Sequence, residues 1–297
     1  MNDRSRDIWV RLLLYPAHTL PIAAAPVAIG AGLAIREHVF SLVPVLLAYI
    51  ASWCVHVGGI FMDNYRLLVD HRAVREHPEL TDAVADGSLL LSDVWRATVA
   101  WFVAGTLVGS FLLAWVGLVA PLLGVIGVAA SLGYSVSRWS LTRLGVADPV
   151  FFLMFGVVAV VGTYYVQARS LPLTAFVIGM PLGALITNTM LIDDLCDIDF
   201  DLRKAWRTTP VVHGISWTRG EFGVLMVFAY AIPLWFWRGL HLGPWTLLPW
   251  LTLPFAIWTT RMVFTRSSAE ELEPFTSRTA MLSLAYALLL AIGVAIS

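Results

Sequence analysis

The chain has 297 residues, of which 59% are apolar and 13% charged. So little polar surface cannot cover a soluble globule of this length, so we expect one all-α integral membrane domain spanning residues 1–297. With a net charge of −1, the chain has no excess of basic residues for binding nucleic acid, so nucleic acid is not an expected partner. Cys54 and Cys196 are too few and too far apart to form a disulfide scaffold or a zinc site.

Nine apolar runs are long enough to cross about 30 Å of hydrocarbon as helices. In chain order they are Leu12–Ile35, Phe40–Phe61, Ala97–Val116, Leu118–Val136, Pro149–Val166, Leu171–Ile192, Glu221–Trp237, Trp245–Met262 and Ala280–Ile296. The third and fourth form an uncharged stretch that we interpret as a helical hairpin turning near Gly117. Prolines in the seventh and eighth spans indicate kinks, because a buried helix usually continues past a proline.

The positive charges indicate an orientation. With nine spans, all but three of the 19 Lys and Arg residues fall on one side, the exceptions being Arg36, Arg169 and Arg238. The positive-inside rule places that side, and the N-terminus, in the cytoplasm, and the C-terminus outside. A bacterial inner membrane is the expected location.

The first acidic segment follows the second span. It contains Asp63, Asn64 and Asp70, with Arg66, Arg72 and Arg75 among and just after them. On a helix, Asp63 and Asp70 would share one face with Arg66 and with His56, which we interpret as an interior histidine.

The second acidic segment follows the sixth span and holds five of the chain's 20 acids: Asp193, Asp194, Asp197, Asp199 and Asp201. If the helix continues through them, all but Asp199 lie within about 100° of one another. Lys204 and Arg207 follow.

Like charges on one face repel unless a cation neutralises them, and oxygen ligands favour Mg²⁺ over zinc or copper. Guanidinium groups donate bidentately to phosphate, so the neighbouring cations fit a polyanion carried by that metal. Each acidic segment alone could be a solvated loop; two on one membrane side, after corresponding spans, favour a site.

The second segment resembles a known family. Residues Asp193 to Asp201, continued by Arg203 to Thr208, are similar to the N-N-x-R-D-x-x-x-D…G-K-R-T segment of the UbiA superfamily of membrane prenyltransferases, most closely its menaquinone-pathway branch, the dihydroxynaphthoate polyprenyltransferases. Shorter similarities follow in family order at Pro16–Pro21, Phe155–Gly156, Gly162–Gln167 and Pro181–Gly183.

The resemblance implies nine transmembrane helices in a UbiA-like bundle around a polar cavity that faces the cytoplasm. Two Asp-rich motifs there would bind Mg²⁺ and the diphosphate of a prenyl donor. The implied catalytic residues are Asp63, Asn64, Asp70, Asp194, Asp197 and Asp201. The implied metal ligands are these six together with Asp193. The implied diphosphate-binding residues are Arg66, Arg72, Arg75, Lys204 and Arg207.

Aromatic faces could stabilise the carbocation that forms when the donor ionises. The candidates for this lining are Tyr65, Tyr134, Tyr164 and Tyr165, each of which could equally be a packing residue.

The first motif departs from the family pattern N-D-x-x-D-x-x-x-D. Its leading pair is inverted to Asp63-Asn64, its middle acid is Leu67, and its last acid, Asp70, is shifted by one position. One metal ligand is therefore missing or supplied by another residue.

Three functions fit these observations. The favoured one is a Mg²⁺-dependent prenyltransferase with a prenyl diphosphate donor and a small aromatic or quinone-precursor acceptor. A UbiA-type membrane terpene cyclase would ionise the same donor without an acceptor. A cation-coupled transporter is the non-enzymatic alternative, since carboxylates within membranes also mark ion paths.

Overall fold

The computed structural model describes residues 3–14, 20–69, 78–135 and 141–297, whose regular secondary structure is entirely helical. Helices α1 to α7 are Asp3–Leu14, Leu20–Arg36, Leu42–Val69, Pro78–Ala85, Leu91–Val116, Val119–Ser135 and Leu141–Leu144. Helices α8 to α16 are Ala147–Leu153, Ala159–Ala168, Leu173–Val177, Met180–Cys196, Ile198–Lys204, Thr209–His213, Ile215–Arg238, Leu253–Thr265 and Ala269–Ala295. A π-helical turn, Met154–Val158, joins α8 to α9, and a 3-10 segment, Pro244–Thr252, precedes α15.

Seven helical stretches of the described residues are long and apolar enough to cross a membrane. They are Leu42–Val69, Leu91–Leu112, Ala147–Ala168, Leu173–Cys196, Ile215–Arg238, Pro244–Thr265 and Ala269–Ala295. Each corresponds to a predicted span, so an all-helical integral membrane protein is confirmed. Helices α2 and α6, at the first and fourth predicted spans, have 17 residues each. The count of nine spans therefore stays a prediction.

Two helices extend past their predicted bounds because a hydropathy scan stops at charged residues. Helix α3 continues beyond Phe61 to Val69, so Asp63 and Asn64 lie on regular helix. Helix α16 begins at Ala269, well before the predicted start at Ala280. The side chain of Ser268 caps it by accepting a hydrogen bond of 3.3 Å from the Glu271 backbone N–H.

Helix α11 lies at the centre of the bundle. In the Leu173–Cys196 stretch, 83% of the most apolar window is buried, whereas the other six reach at most 56%. It packs against α8 and the π-helical turn on one side and against α14 and α16 on others. A helix surrounded by protein can carry polar side chains that lipid would not tolerate.

Glycines bring α11 unusually close to the π-helical turn. A Cβ atom on Gly156 would lie 2.7 Å from the Gly183 Cα atom, and one on Gly179 would collide with the Gly156 carbonyl oxygen. The two backbones therefore touch directly, which fixes how the neighbouring helices align.

The two ends of the bundle differ in their polar groups. Arg36 at the end of α2 donates a hydrogen bond of 3.4 Å to the His241 carbonyl, and the Ser41 N–H donates to Gln167 Oε1 over 3.3 Å. Helix α3 and the α10–α11 stretch start near these contacts and run to the other end, which carries Asp63 and Asp194. We call this the acidic end.

We expect Gly179→Ala to lower the stability of the bundle by about 1–3 kcal/mol, because the added methyl group collides with backbone. The backbone at Gly179 has φ −86° and ψ −14°, which alanine adopts without strain, so the effect would be steric. Thermal unfolding in detergent micelles measures it.

The matched control is Gly127→Ala, on α6, where an added Cβ meets no atom within 4 Å. It should unfold at or slightly above the wild-type temperature, since alanine favours helix. Equal unfolding temperatures for the two variants would refute the close contact.

Candidate functional site: carboxylates at the acidic end

The first predicted motif lies on the last turns of α3. Asn64 is 1% exposed, and its amide nitrogen donates to the Leu12 carbonyl over 2.9 Å and to the Ile60 carbonyl over 3.0 Å. Because both partners are carbonyl oxygens, the amide orientation is fixed and Asn64 ties α1 to α3. Asp63 beside it is half-buried. Asp70, Arg72 and Arg75 lie outside the described residues.

The second motif begins on the last turn of α11 with Asp193 and Asp194, both half-buried. The condition that one helix continues through all five acids is not met, because α11 ends at Cys196. At Asp197 the chain turns, with φ −106° and ψ 9°. Its N–H donates to the Asp193 and Asp194 carbonyls, and its own carbonyl accepts from the N–H groups of Phe200 and Asp201, which starts α12.

The break does not separate the carboxylates. Asp194 interacts electrostatically with four others, those of Asp148, Asp193, Asp197 and Asp201. Asp199 is exposed on α12, as predicted for the acid that points away.

Two consecutive threonines hold two of these carboxylates. Thr208 Oγ1 donates to Asp201 Oδ2 over 2.9 Å, and Asp201 is 2% exposed. Thr209 Oγ1 donates to Asp148 Oδ2 over 2.5 Å. The loop after α12 thus connects the second motif to the start of α8.

Asp148 is the site residue that the sequence analysis missed. It directly precedes the apolar run of the fifth span and belongs to neither acidic segment. The available signal was its position on the same predicted membrane side as both acidic segments. It also interacts electrostatically with Glu221 on α14, and Glu221 does so with His213.

A ring contact relates Asp148 to the first motif as well. The His56 ring on α3 lies 6.3 Å from the Phe155 ring, at 85°. Helix α3 runs toward the acidic end, and Asp63 follows His56 by seven residues. Helix α8 runs away from that end, and Asp148 precedes Phe155 by seven residues. Both are about 10.5 Å closer to the acidic end, at one level.

The predicted diphosphate-binding cations differ in how exposed they are. Arg66 is half-buried on α3, whereas Arg207 is exposed. Arg207 lines a cavity of about 140 Å³ beside Thr209 and His213. Lys204 ends α12, and its side chain lies outside what the structure describes.

Two of the four tyrosines expected to line the site, Tyr164 and Tyr165, lie away from the acidic end. The Tyr164 hydroxyl donates to the Glu37 carboxylate, and the Tyr165 hydroxyl donates to the Val116 carbonyl over 3.2 Å. Both are roughly 24 Å along their helix from Asp148, toward the end of the bundle opposite the acidic end. Tyr65 packs on Trp95, with ring centroids 5.5 Å apart, and the Tyr134 side chain is outside the described part.

The donor set fits Mg²⁺ in one particular way. In the ranges that the structure describes, no three His, Cys, Asp or Glu side chains are grouped closely enough to hold an ion alone. Mg²⁺ typically takes one or two carboxylates and completes its shell with phosphate oxygens and water. The oxygen ligands on α3 and α11 suit an ion that arrives with a diphosphate.

Comparison with known proteins gives consistent results. The sequence model of the UbiA prenyltransferase family matches residues 25–284. The 1,4-dihydroxy-2-naphthoate octaprenyltransferase of Mycobacterium leprae is 29% identical over 213 residues, covering 70% of this chain and 71% of that protein. The Escherichia coli protein of the same name is 25% identical over 288 residues, covering 94% and 92%.

Solved structures share the fold. A UbiA homolog from Aeropyrum pernix K1 superposes with a TM-score of 0.67 at 17% identity, covering 93% of this chain and 97% of that one. A UbiA homolog from Archaeoglobus fulgidus bound to GPP and Mg²⁺ gives 0.62 at 16% identity, covering 95% and 98%. The predicted resemblance to the UbiA superfamily is confirmed by the family model.

We expect Thr208→Val to destabilise the acidic end by about 1–3 kcal/mol, because the buried Asp201 carboxylate loses a hydroxyl donor at little change in shape. Thermal unfolding and proteolysis of the loop after α12 measure this. Thr208→Ser, which keeps the hydroxyl, should be close to wild type. A valine variant as stable as wild type would show that the hydrogen bond does not stabilise the acidic end.

Proposed function

This chain belongs to the UbiA prenyltransferase family, and we propose that it transfers a prenyl group from a prenyl diphosphate to an aromatic or quinone-precursor acceptor, with Mg²⁺. The observation that carries the proposal is that the carboxylates of Asp193, Asp197, Asp201 and Asp148 all interact electrostatically with Asp194 at the end of a buried helix. Such a concentration of negative charge is stable next to a divalent cation.

Relatives support the choice of substrates. Those from Mycobacterium leprae and Escherichia coli are named for transfer of an octaprenyl group to 1,4-dihydroxy-2-naphthoate, which favours a hydroxylated aromatic acid as acceptor. The Archaeoglobus fulgidus homolog bound to GPP and Mg²⁺ supports a prenyl diphosphate donor with this metal.

The side chains at the acidic end account for ionisation of the donor. Asp63 on α3 and Asp193, Asp194 and Asp197 on the other side would hold the metal, with Asn64, Asp70 and Asp201 as the remaining predicted ligands. Mg²⁺ supplies charge neutralisation on the leaving diphosphate. Arg66 donates to the diphosphate, with Arg207, Lys204, Arg72 and Arg75 as further predicted donors.

The bond changes follow. The allylic C–O bond breaks and the diphosphate keeps the electron pair. An electron pair of the acceptor ring then forms the new C–C bond, and the ring carbon loses a proton to regain aromaticity. Protein groups lower the barrier by being arranged before the charge develops.

An apolar groove supports a donor with a long tail. It begins at Met62, next to Asp63, and runs between α3, α5 and α6 with a volume of about 260 Å³. Its α5 wall extends from Trp95 to Thr106, roughly 16 Å along the helix. An isoprenoid chain could lie there with its diphosphate at the acidic end.

The orientation belongs to the proposal as well. All but three of the Lys and Arg residues are predicted on the side of the acidic end, which places the site and the N-terminus in the cytoplasm. With nine spans the C-terminus lies outside.

We expect Asp194→Ala or Asp197→Ala to lower turnover by about 100-fold or more, as removal of a group that stabilises transition-state charge does. The matched control is Asp199→Ala, an exposed acid of the same segment, which should stay within about twofold of wild type. Membranes are supplied with farnesyl diphosphate, 1,4-dihydroxy-2-naphthoate and Mg²⁺. Product is identified by mass spectrometry, and released diphosphate is measured.

Three outcomes would contradict the proposal. Equal tolerance of alanine at all three positions would remove the metal site. A cyclic hydrocarbon or alcohol formed without acceptor would instead identify a terpene cyclase. No diphosphate release by folded wild-type protein under any condition would exclude both enzymes.

A further inference from the structure

We propose that the outer surface between α15 and α16 binds the phosphate of an anionic phospholipid in the leaflet at the acidic end. The surface is formed by Trp258 and Arg261 on α15 and by Phe275 and Arg278 on α16. We call these four residues the lipid-phosphate site. Binding there would be independent of the reaction at the carboxylates.

Two aromatic rings show how α15 and α16 are aligned. The ring centroids of Trp258 and Phe275 are 5.2 Å apart. Helix α15 ends at Thr265 and α16 begins at Ala269, so both rings lie about 10 Å from the loop that joins the helices. Residues of the two helices at equal distances from this loop are therefore neighbours.

Arg278 lies over both rings. Its Cζ atom is 5.2 Å from the ring centroid of Trp258 and 4.7 Å from that of Phe275. The Arg278 backbone is one turn further from the loop than Phe275, so the side chain bends back toward the acidic end. Ring faces attract the positive charge but offer no oxygen acceptor to the five N–H donors of a guanidinium.

No carboxylate neutralises this cation within the part of the chain that the structure describes. There the Arg278 and Arg261 side chains form neither an ion pair nor a hydrogen bond, and both are exposed. Arg266, in the loop between the two helices, is different, because it pairs with Glu271 over 2.8 Å. The two arginines of the lipid-phosphate site therefore retain their donors for a ligand.

The surface that continues from Arg278 along α16 is apolar and exposed. Met281 and Ile292 lie within about 60° of Arg278 around the helix and are 54% and 52% exposed. The predicted span begins at Ala280, so Arg278 lies where contact with hydrocarbon begins. An unpaired charge is costly at that depth, and an arginine there reaches toward the lipid headgroups.

Arg261 supplies a second cation at the level of the headgroups. It follows Trp258 by three residues, which places it about 60° away around α15 and one turn nearer the acidic end. Trp258 is 40% exposed, as is typical of an indole ring at the membrane interface. Both guanidinium groups would donate to one lipid phosphate, whose geometry suits bidentate hydrogen bonds. The acyl chains would then lie along Met281 and Ile292.

A lipid bound in this way would hold α15 and α16 together near the carboxylates. The Cys196 Sγ atom at the end of α11 donates to the Ala269 carbonyl oxygen at the start of α16 over 3.7 Å. The pair of helices that the lipid joins thus contacts the helix end that carries Asp193 and Asp194. We therefore expect the lipid to raise the unfolding temperature of the whole bundle.

The test is thermal unfolding in detergent micelles that contain increasing amounts of dioleoylphosphatidylglycerol. The wild-type midpoint should rise with this lipid, and Arg278→Gln should need about 10-fold more of it or beyond for half of the rise, as expected for hydrogen bonds to a charged group. The matched control is Arg266→Gln, which removes the same charge at the same end but leaves the lipid-phosphate site intact. Its half-saturating lipid concentration should stay within about twofold of wild type.

Two further ligands identify what is recognised. Dioleoylphosphatidylcholine has the same acyl chains but shields its phosphate with a choline cation, so it should be about 10-fold less effective or weaker still. Inorganic phosphate, which has no acyl chains, should leave the midpoint unchanged. In native mass spectrometry, wild type should retain a phosphatidylglycerol molecule that Arg278→Gln loses.

Equal responses of wild type and Arg278→Gln to phosphatidylglycerol would overturn the proposal. So would equal effects of the two lipids, or stabilisation by inorganic phosphate alone, which would identify a site for a free anion. A midpoint that rises with protein concentration and not with lipid would identify a second copy of the chain as the partner instead. If Arg278→Gln does not fold, an unchanged lipid requirement in Arg261→Gln overturns the proposal by itself.

Discussion

The contact between Gly156 on the π-helical turn and Gly179 and Gly183 at the start of α11 determines the rest of the site. Because the two backbones touch there, α8 and α11 cannot shift relative to each other without a collision. From that contact α11 runs to Asp194 and α8 runs back to Asp148, so both carboxylates reach the acidic end as neighbours. A contact made without side chains thus sets the spacing of groups that carry charge.

The same arrangement creates an electrostatic problem. Carboxylates at the end of a buried helix repel one another in a poorly solvated environment, and the fold relieves this only in part. Thr208 and Thr209 hold Asp201 and Asp148 by hydrogen bonds, which fix these two side chains but add no positive charge. In the proposed function the remaining stabilisation comes from a divalent ion that also binds a polyanion and therefore needs only the incomplete ligand sets of α3 and α11.

Much of the fold was predictable because hydropathy reports directly on burial in lipid. All seven spans of the described residues correspond to predicted runs, and errors fall at the ends, where charged residues continue a helix. The site was less predictable because its geometry depends on contacts between helices. The helix break at Asp197 has no proline or glycine to mark it, and Tyr164 is separated from the acids by helix length alone. Asp148 lacked a motif, and only the packing of α8 on α11 brings it to Asp194.

The two acidic segments prove unequal in what they can contribute. On α3, Leu67 replaces an acid of the family pattern and the Asn64 amide nitrogen is engaged with α1, so Asp63 is the carboxylate that this helix clearly offers among the described residues. The other carboxylates come from α11, α12 and α8, on the opposite side. In the proposed function these carboxylates lie on one side of the diphosphate and the groove that starts at Met62 lies on the side of α3.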